Sequence, residues 1–213
     1  MKTYQYILLD WDGTLAKTLD LWLDAFRVVL GKRGLHPSDY EIARSFGAST
    51  RYLTEFGVKD IPVAFAEADS LAKQTLPNVH LYPGAARLLG DLKARDKHLA
   101  LLTSSLHENI HHLLQDYNLL NYFDVIIAAE DITNHKPHPE SLEKAMMAMG
   151  AVKDQTIIIG DSDKDLGAAR NLGIDAILSY PPEHMKFYSL DELKSFKPTY
   201  IVDTLAEIND IVI

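Results

Sequence analysis

The chain has no cysteine among its 213 residues. Disulfides, thiolate nucleophiles and cysteine-ligated zinc or iron–sulfur centres are thereby excluded. Cations are scarce: 21 Lys and Arg stand against 30 Asp and Glu, a net charge of −9 with histidine neutral. Such a surface repels phosphate, so neither a nucleic acid nor an anionic membrane is expected as a partner. A phosphate-binding site would have to be locally basic. No apolar run approaches the ~20 residues needed to cross a bilayer. Residues 1–6 hold no apolar stretch or small-residue cleavage pattern of a secretion signal, and a cytoplasmic location is expected. Internal repeats and low-complexity segments are absent, and no obligate protein partner is evident. What is present is an ordinary globular composition, 47% hydrophobic and 24% charged, in a length that fits one domain or two small ones.

Short continuous apolar runs occupy residues 6–9, 99–102, 125–128, 156–159, 174–178 and 200–202. Unbroken runs of this length read as strands buried on both faces. Amphipathic stretches separate them. Pro83 can open one through Leu88, Leu89 and Leu92, and Pro139 another through Leu142, Ala145, Met146 and Met149. Ser189 with Glu192, and Thr204 with Glu207, fit the capping box. The alternation predicts an α/β protein with a doubly wound, Rossmann-like parallel sheet. One segment departs from it. Residues 16–80 offer no convincing strand. Leu19, Trp22, Leu23, Phe26, Val29 and Leu30 form a helical stripe, Ser38 and Glu41 a capping box, and Asp60-Ile61-Pro62 a helix start. An all-helical unit at 16–80 is therefore expected between two parts of a core, 1–15 and 81–213.

Four polar clusters follow the apolar runs, at the sheet edge where ligands bind in open parallel sheets. They are Asp10-Trp11-Asp12-Gly13-Thr14, Thr103-Ser104-Ser105, Lys136-Pro137-His138-Pro139, and the stretch from Gly160 through Asp161 to Asp165. Any one alone reads as a polar loop. Together they suggest phosphoryl transfer. Asp10, Asp12 and Asp161 repel one another at close range unless a cation intervenes, and hard oxygen ligands suit Mg²⁺. A Thr or Ser hydroxyl and Lys136 add donors for phosphate. Gly13 frees the backbone to turn sharply beside an anion.

The order and spacing resemble the haloacid dehalogenase superfamily, across nearly the whole chain. Its first motif is met by Asp10-Trp11-Asp12-Gly13-Thr14, its second by Leu101-Leu102-Thr103-Ser104, its third by Lys136-Pro137, and its fourth by Gly160 to Asp165. Tyr82-Pro83-Gly84, Tyr122-Phe123-Asp124 and Ala168-Ala169-Arg170-Asn171-Leu172-Gly173 resemble the subgroup of phosphoglycolate phosphatase and β-phosphoglucomutase. In that subgroup a helical cap follows the first motif. The resemblance implies a phosphatase acting on a small phosphorylated metabolite. It implies that Asp10 is the nucleophile, that Asp12 is the general acid and base, and that Thr103, the Ser104 backbone N–H and Lys136 hold the phosphoryl group. Mg²⁺ would be bound by the Asp10 and Asp161 carboxylates and the Asp12 backbone carbonyl, with Asp165 supporting the metal site or Lys136.

There are departures and rivals. Lys17 stands where many relatives carry an acid, and Trp22 where β-phosphoglucomutases carry a cap histidine, which favours a hydrolase over a mutase. Trp22 and Phe26 are expected in the cap core, and Arg51 as a surface residue. His107-Glu108-Asn109-Ile110-His111 is a literal zinc-peptidase pattern in a chain with nine histidines. Leu106, Ile110, Leu113, Leu114 and Tyr117 form the apolar stripe of that helix, which leaves His107 and His111 at its edge. A non-enzymatic phospho-receiver module shares the acidic pair and the Lys-Pro. It is about half this length and places its acceptor Asp after the acidic pair.

Overall fold

In a computed structural model, which describes residues 2–46 and 50–212, each of the six apolar runs is a strand. They are β1 (Tyr6–Asp10), β2 (His98–Leu102), β3 (Val125–Ile127), β4 (Thr156–Gly160), β5 (Asp175–Ser179) and β6 (Tyr200–Val202). Every pairing is parallel, in the order β3-β2-β1-β4-β5-β6. β1 is central: Leu9 lies opposite Leu101 on one side and Ile159 on the other. The chain reverses its direction of winding at β1 and β4, and at such a switch the loops diverge and leave a crevice beyond the strand ends.

Alternate residues feed the two faces. Leu8, Ala100, Leu102, Ile158 and Leu178 belong to one core cluster, and Ile7, Leu9, Leu101, Ile157 and Ile159 to the other. The first face is covered by α7 (Glu140–Met149) and α8 (Asp163–Leu172). The second is covered by α5 (Ala85–Lys93), α6 (His107–Asp116) and α10 (Ile208–Ile211). This is the doubly wound sheet expected from the alternation. One helix start differs. Pro83 lies in a turn and α5 begins at Ala85, because Gly84 takes a left-handed φ of 87° as N-cap. The capping boxes of Ser38 and Thr204 form as read, and the Ser189 hydroxyl accepts from the Glu192 N–H at the start of α9 (Leu190–Lys194).

Between β1 and α5 the described chain contains helices only: α1 (Leu19–Gly31), α2 (Asp39–Ala43), α3 (Thr50–Glu55), α4 (Ile61–Thr75) and a 3₁₀ turn, Leu76–Asn78. α1 packs on α4, and Leu23, Phe26, Val29, Leu30, Ala64, Ala68 and Ala72 fill the space between them. The small side chains of α4 let the two helices approach closely. The chain enters and leaves this insertion through a two-stranded ribbon. Ala16 pairs with Leu81 in an antiparallel bridge, Lys17 N–H donates to His80 O, and Tyr82 N–H donates to Leu15 O at 2.9 Å. Tyr82 also shares a 2.7 Å hydrogen bond with buried His184, and Lys17 pairs with Glu183.

Burial separates what the core tolerates from what the surface tolerates. Ile158→Ala, at a fully buried position of β4, should cost about 2–5 kcal/mol in urea unfolding. Met147→Ala, on the outer face of α7 at 80% exposure, should change stability by less than about 0.5 kcal/mol. Equal losses would show that the sheet is not the core on which the fold depends.

Candidate active site

Each charged residue of the site sits at the end of a strand, in the loop beyond it or in the first turn of the helix that follows. Asp10 ends β1 and is 6% exposed. Asp161 follows β4 and is 1% exposed, and Asp165 lies in the first turn of α8, equally buried. One oxygen from each of the three carboxylates falls within 4.8 Å of the others. Lys136 comes from the loop between β3 and α7 and inserts between two of them. Its Nζ donates to Asp10 Oδ1 and to Asp165 Oδ1, both at 2.6 Å. The loop is pinned from behind. Asn171 donates its amide to Pro137 O at 2.9 Å, and Gly167 lets α8 approach so near that a Cβ there would stand 2.7 Å from Pro137 Cβ. The Lys136–Pro137 peptide bond is cis.

Asp165 has a second task. Its Oδ2 accepts from the hydroxyl of Ser162 at 2.6 Å and from the Ser162 backbone N–H at 3.3 Å, forming the capping box of α8. Both its oxygens are thus engaged. Asp161 is the opposite case: its Oδ2 is buried without a hydrogen-bond partner. A bare buried carboxylate oxygen is costly to leave unmatched. Gly13 stands directly beside it, at φ 83°, and a Cβ there would come within 2.3 Å of that oxygen. Glycine is required at this point for the turn and for the space.

One ammonium among three buried carboxylates leaves the site short of positive charge. Burial pushes the Asp10 carboxyl up to about 8; Lys136 opposes this, and Asp165 and Asp12 add to it. Burial likewise holds Asp161 well above the usual carboxylate range, with Asp10 and Asp165 pushing the same way. For Lys136, burial disfavours the charge, but Asp10 and Asp165 outweigh it and keep the ammonium protonated. An all-oxygen donor set, a surplus of negative charge and one unpartnered oxygen fit a hard divalent cation.

Asp12 is held differently. Its Oδ1 accepts from the indole N–H of Trp22 at 3.2 Å, and its Oδ2 accepts from the hydroxyls of Thr103 and Ser105, each at 3.2 Å. Thr103 Oγ1 in turn accepts from the Ser105 N–H at 3.0 Å. Trp22 belongs to α1, so one hydrogen bond ties this carboxylate to the helical insertion and two tie it to the sheet. The stripe reading had placed Trp22 inside the insertion. α1 carries one broad apolar face: Leu19, Trp22 and Phe26 on it also line the cleft above the carboxylates, while Leu23, Phe26 and Val29 belong to the buried core. That cleft has a volume of about 290 Å³ and is also lined by Ser104, Phe46 and Phe65. The Arg51 side chain lies outside the described residues.

All the residues singled out by the spacing, Asp10, Asp12, Thr103, Ser104, Lys136, Asp161 and Asp165, therefore meet at one cleft, Thr103 through its bond to Asp12. Ser105 was legible only as part of its cluster. Lys164 likewise reaches the cleft and was legible only as part of the Gly160–Asp165 cluster, whereas Phe46, Phe65 and Tyr188 also reach it and no local pattern marks them. His107 and His111 are both exposed on α6, and His107 Nε2 pairs with Asp131 at 2.7 Å. No helix among the described residues is long and apolar enough to cross a membrane.

Comparison with known proteins agrees with this geometry. The sequence profile described as haloacid dehalogenase-like hydrolase matches residues 7–179, and the chain belongs to that family. It is a hydrolase on a Rossmann-like core. It is 30% identical over 212 residues to the pyrophosphatase PpaX of Halalkalibacterium halodurans, covering 97% of this chain and 95% of that one. It is 25% identical over 224 residues to the phosphoglycolate phosphatase of Nitrosococcus oceani, with 99% and 97% covered. Among solved structures, a haloacid dehalogenase-like hydrolase from Bacteroides fragilis superposes with a TM-score of 0.85 at 27% identity, over 97% of this chain and 100% of that one. CbbY from Rhodobacter sphaeroides, solved with phosphate, shares the fold at a TM-score of 0.79 and 22% identity, over 97% and 96% of the two chains.

The charge imbalance has a measurable signature. The Asp10 carboxyl holds its proton to about pH 8 in the fold but releases it near 3.8 when unfolded. Between those values the native state binds more protons, so stability falls as pH rises. In EDTA, the stability of the wild type relative to Asp10→Asn should decline steadily from about pH 4 to about pH 8 in denaturant titrations. A relative gain over that window would mean that Lys136 dominates and that the site carries no surplus negative charge.

Proposed function

We propose that the protein is a Mg²⁺-dependent phosphatase that hydrolyses the phosphate monoester of a small metabolite through an aspartyl-phosphate on Asp10. The observation that carries this reading is the bare Asp161 oxygen beside Asp10 and Asp165, with Lys136 wedged against two of the three. The relatives named pyrophosphatase and phosphoglycolate phosphatase support the same chemistry. The Asp10 and Asp161 carboxylates and the Asp12 backbone carbonyl would hold the cation. When bound, it supplies positive charge that lets an anionic nucleophile approach an anionic ester.

An Asp10 oxygen attacks phosphorus, and the bond from phosphorus to the ester oxygen breaks. Asp12 gives its proton to the departing oxygen. It then takes a proton from the water that attacks the phosphorus of the acyl phosphate, which releases inorganic phosphate and restores Asp10. Trp22, Thr103 and Ser105 fix Asp12 at the cleft for both transfers. Lys136, the Thr103 hydroxyl and the Ser104 N–H bear the charge of the transferring phosphoryl. Asp165 aims Lys136. Residues 1–15 and 81–213 form the catalytic core and 16–80 the cap, with the paired strands at 15–17 and 81–82 as the joint across which the cap closes and excludes water. A tryptophan at position 22 supports hydrolysis over phosphoryl relocation, since no imidazole stands there. The acidic composition supports an enzyme with neither nucleic acid nor an anionic membrane as partner, and a cytoplasmic location belongs to the same proposal.

EDTA should abolish phosphate release from a monoester and Mg²⁺ should restore it. Full turnover in EDTA would refute the metal requirement.

The two aspartates of the first motif should separate. Asp10→Asn should lose nearly all turnover. Asp12→Ala should lose about 10²–10⁴-fold with an alkyl phosphate and less in the first step with p-nitrophenyl phosphate, whose leaving group needs little protonation. Without a base for water, Asp12→Ala should accumulate phosphoenzyme, seen by rapid-quench mass spectrometry as a phosphate adduct on the peptide containing Asp10. An adduct elsewhere, or equal losses on both substrates with no adduct, would overturn the assignment.

A further inference from the structure

Five rings line the cleft that holds the carboxylates. Trp22 and Phe26 come from α1, Phe46 from the loop after α2, Phe65 from α4, and Tyr188 from the core. The rings support one another. Phe26 stacks on Phe46 at 6.3 Å between centroids and meets Phe65 edge-on at 5.6 Å. Phe26 and Phe46 are 2% and 7% exposed, so this wall is packed before any ligand arrives. Among the described residues of the insertion that line the cleft, one is charged, and it is an acid: Asp69 on α4. Lysines line the cleft only from the core side. Lys136 is committed to Asp10 and Asp165, and Lys164, in the first turn of α8 beside Asp161, donates to Asp163 at 3.2 Å.

We infer that the leaving group this cleft accepts is uncharged and largely apolar: the enzyme hydrolyses phosphate esters of aromatic or bulky apolar alcohols in preference to pyrophosphate and to esters whose alcohol carries a carboxylate. A second anion on the leaving group would lose its water against aromatic faces and meet the Asp69 carboxylate, whose partner Lys73, at 3.2 Å, is already engaged and is not among the described lining residues of the cleft. An apolar ring would exchange water for ring contacts already in place. Pyrophosphate and phosphoglycolate, the substrates in the names of the two relatives above, both carry that second anion. The inference rests on the phosphatase reading and adds the class of ester to it.

The test compares kcat/KM of the full-length protein with Mg²⁺ for 2-phenylethyl phosphate, ethyl phosphate, 2-phosphoglycolate and pyrophosphate, measured by released phosphate. 2-Phenylethyl phosphate should exceed ethyl phosphate by at least about tenfold, the scale on which an apolar pocket discriminates. It should exceed both anionic substrates by more, although phosphate is a better leaving group than an alkoxide. Phe65→Lys should raise the ratio of 2-phosphoglycolate to 2-phenylethyl phosphate by at least about tenfold. Asp69→Asn, a near-isosteric change on the half-exposed side of α4, should move that ratio the same way and guards against misfolding of the lysine variant. A wild type that prefers pyrophosphate or 2-phosphoglycolate, or treats ethyl and phenylethyl esters alike, overturns the inference and leaves the phosphatase reading standing. No Mg²⁺-dependent release from any of the four or from p-nitrophenyl phosphate overturns both.

Discussion

Three carboxylates share one ammonium in a space that water barely reaches, and the rest of the architecture serves that arrangement. Bringing Asp10, Asp161 and Asp165 together is unfavourable by itself, because each is buried and each repels the others. The sheet makes it possible. β1 and β4 are adjacent and in register, so their ends deliver Asp10 and Asp161 side by side whatever the electrostatic cost. Gly160 then lets the chain fold back on itself, since a Cβ there would stand 2.4 Å from Asp165 Cβ. Asp165 caps α8 with one oxygen and holds Lys136 with the other. The start of a helix and the placement of the site's cation are one event, made by one side chain.

The asymmetry between Asp10 and Asp12 follows from the same geometry. Asp10 lies within the strand, walled in and short of donors. Asp12 lies two residues on, past the strand end, and collects three hydrogen bonds from hydroxyls and an indole. Two aspartates separated by a single residue thus receive opposite environments. That division suits a nucleophile beside an acid–base group better than a symmetric pair would. It arises because the chain leaves the sheet between them.

The sheet and the polar clusters were legible because both are local. An apolar run of four or five residues carries its own evidence of burial, and each cluster follows its strand directly. Residues 174–178 illustrate the limit, since the strand sits one residue later, at Asp175–Ser179. Gly84 moved the start of α5 because its left-handed conformation lets a turn compete with the helix that Pro83 could begin. The cleft wall was not legible for a stronger reason. Phe46, Phe65 and Tyr188 come from three distant segments, and nothing near any of them in sequence says that they meet. Trp22 belongs to the same class. Its place in an apolar stripe is correct, but which part of the stripe borders the polar site depends on how the insertion sits over the sheet.

The paired strands that join insertion to core bring its two ends together, with Ala16 and Leu81 in direct backbone contact. A segment whose ends meet can be exchanged for another of any length without disturbing what flanks it, as a turn replaces a longer turn in a hairpin. The residues proposed to break the phosphorus–oxygen bond lie on one side of this junction, and the rings of α1, α4 and the loop after α2 that are proposed to meet the rest of the substrate lie on the other. Lineages built on this plan can therefore diverge in what they recognise by altering the guest segment alone, while the machinery for cleavage is inherited intact. Trp22 is the exception, a guest residue bonded to the host's Asp12, so under the proposed mechanism a change at that position would alter recognition and cleavage together.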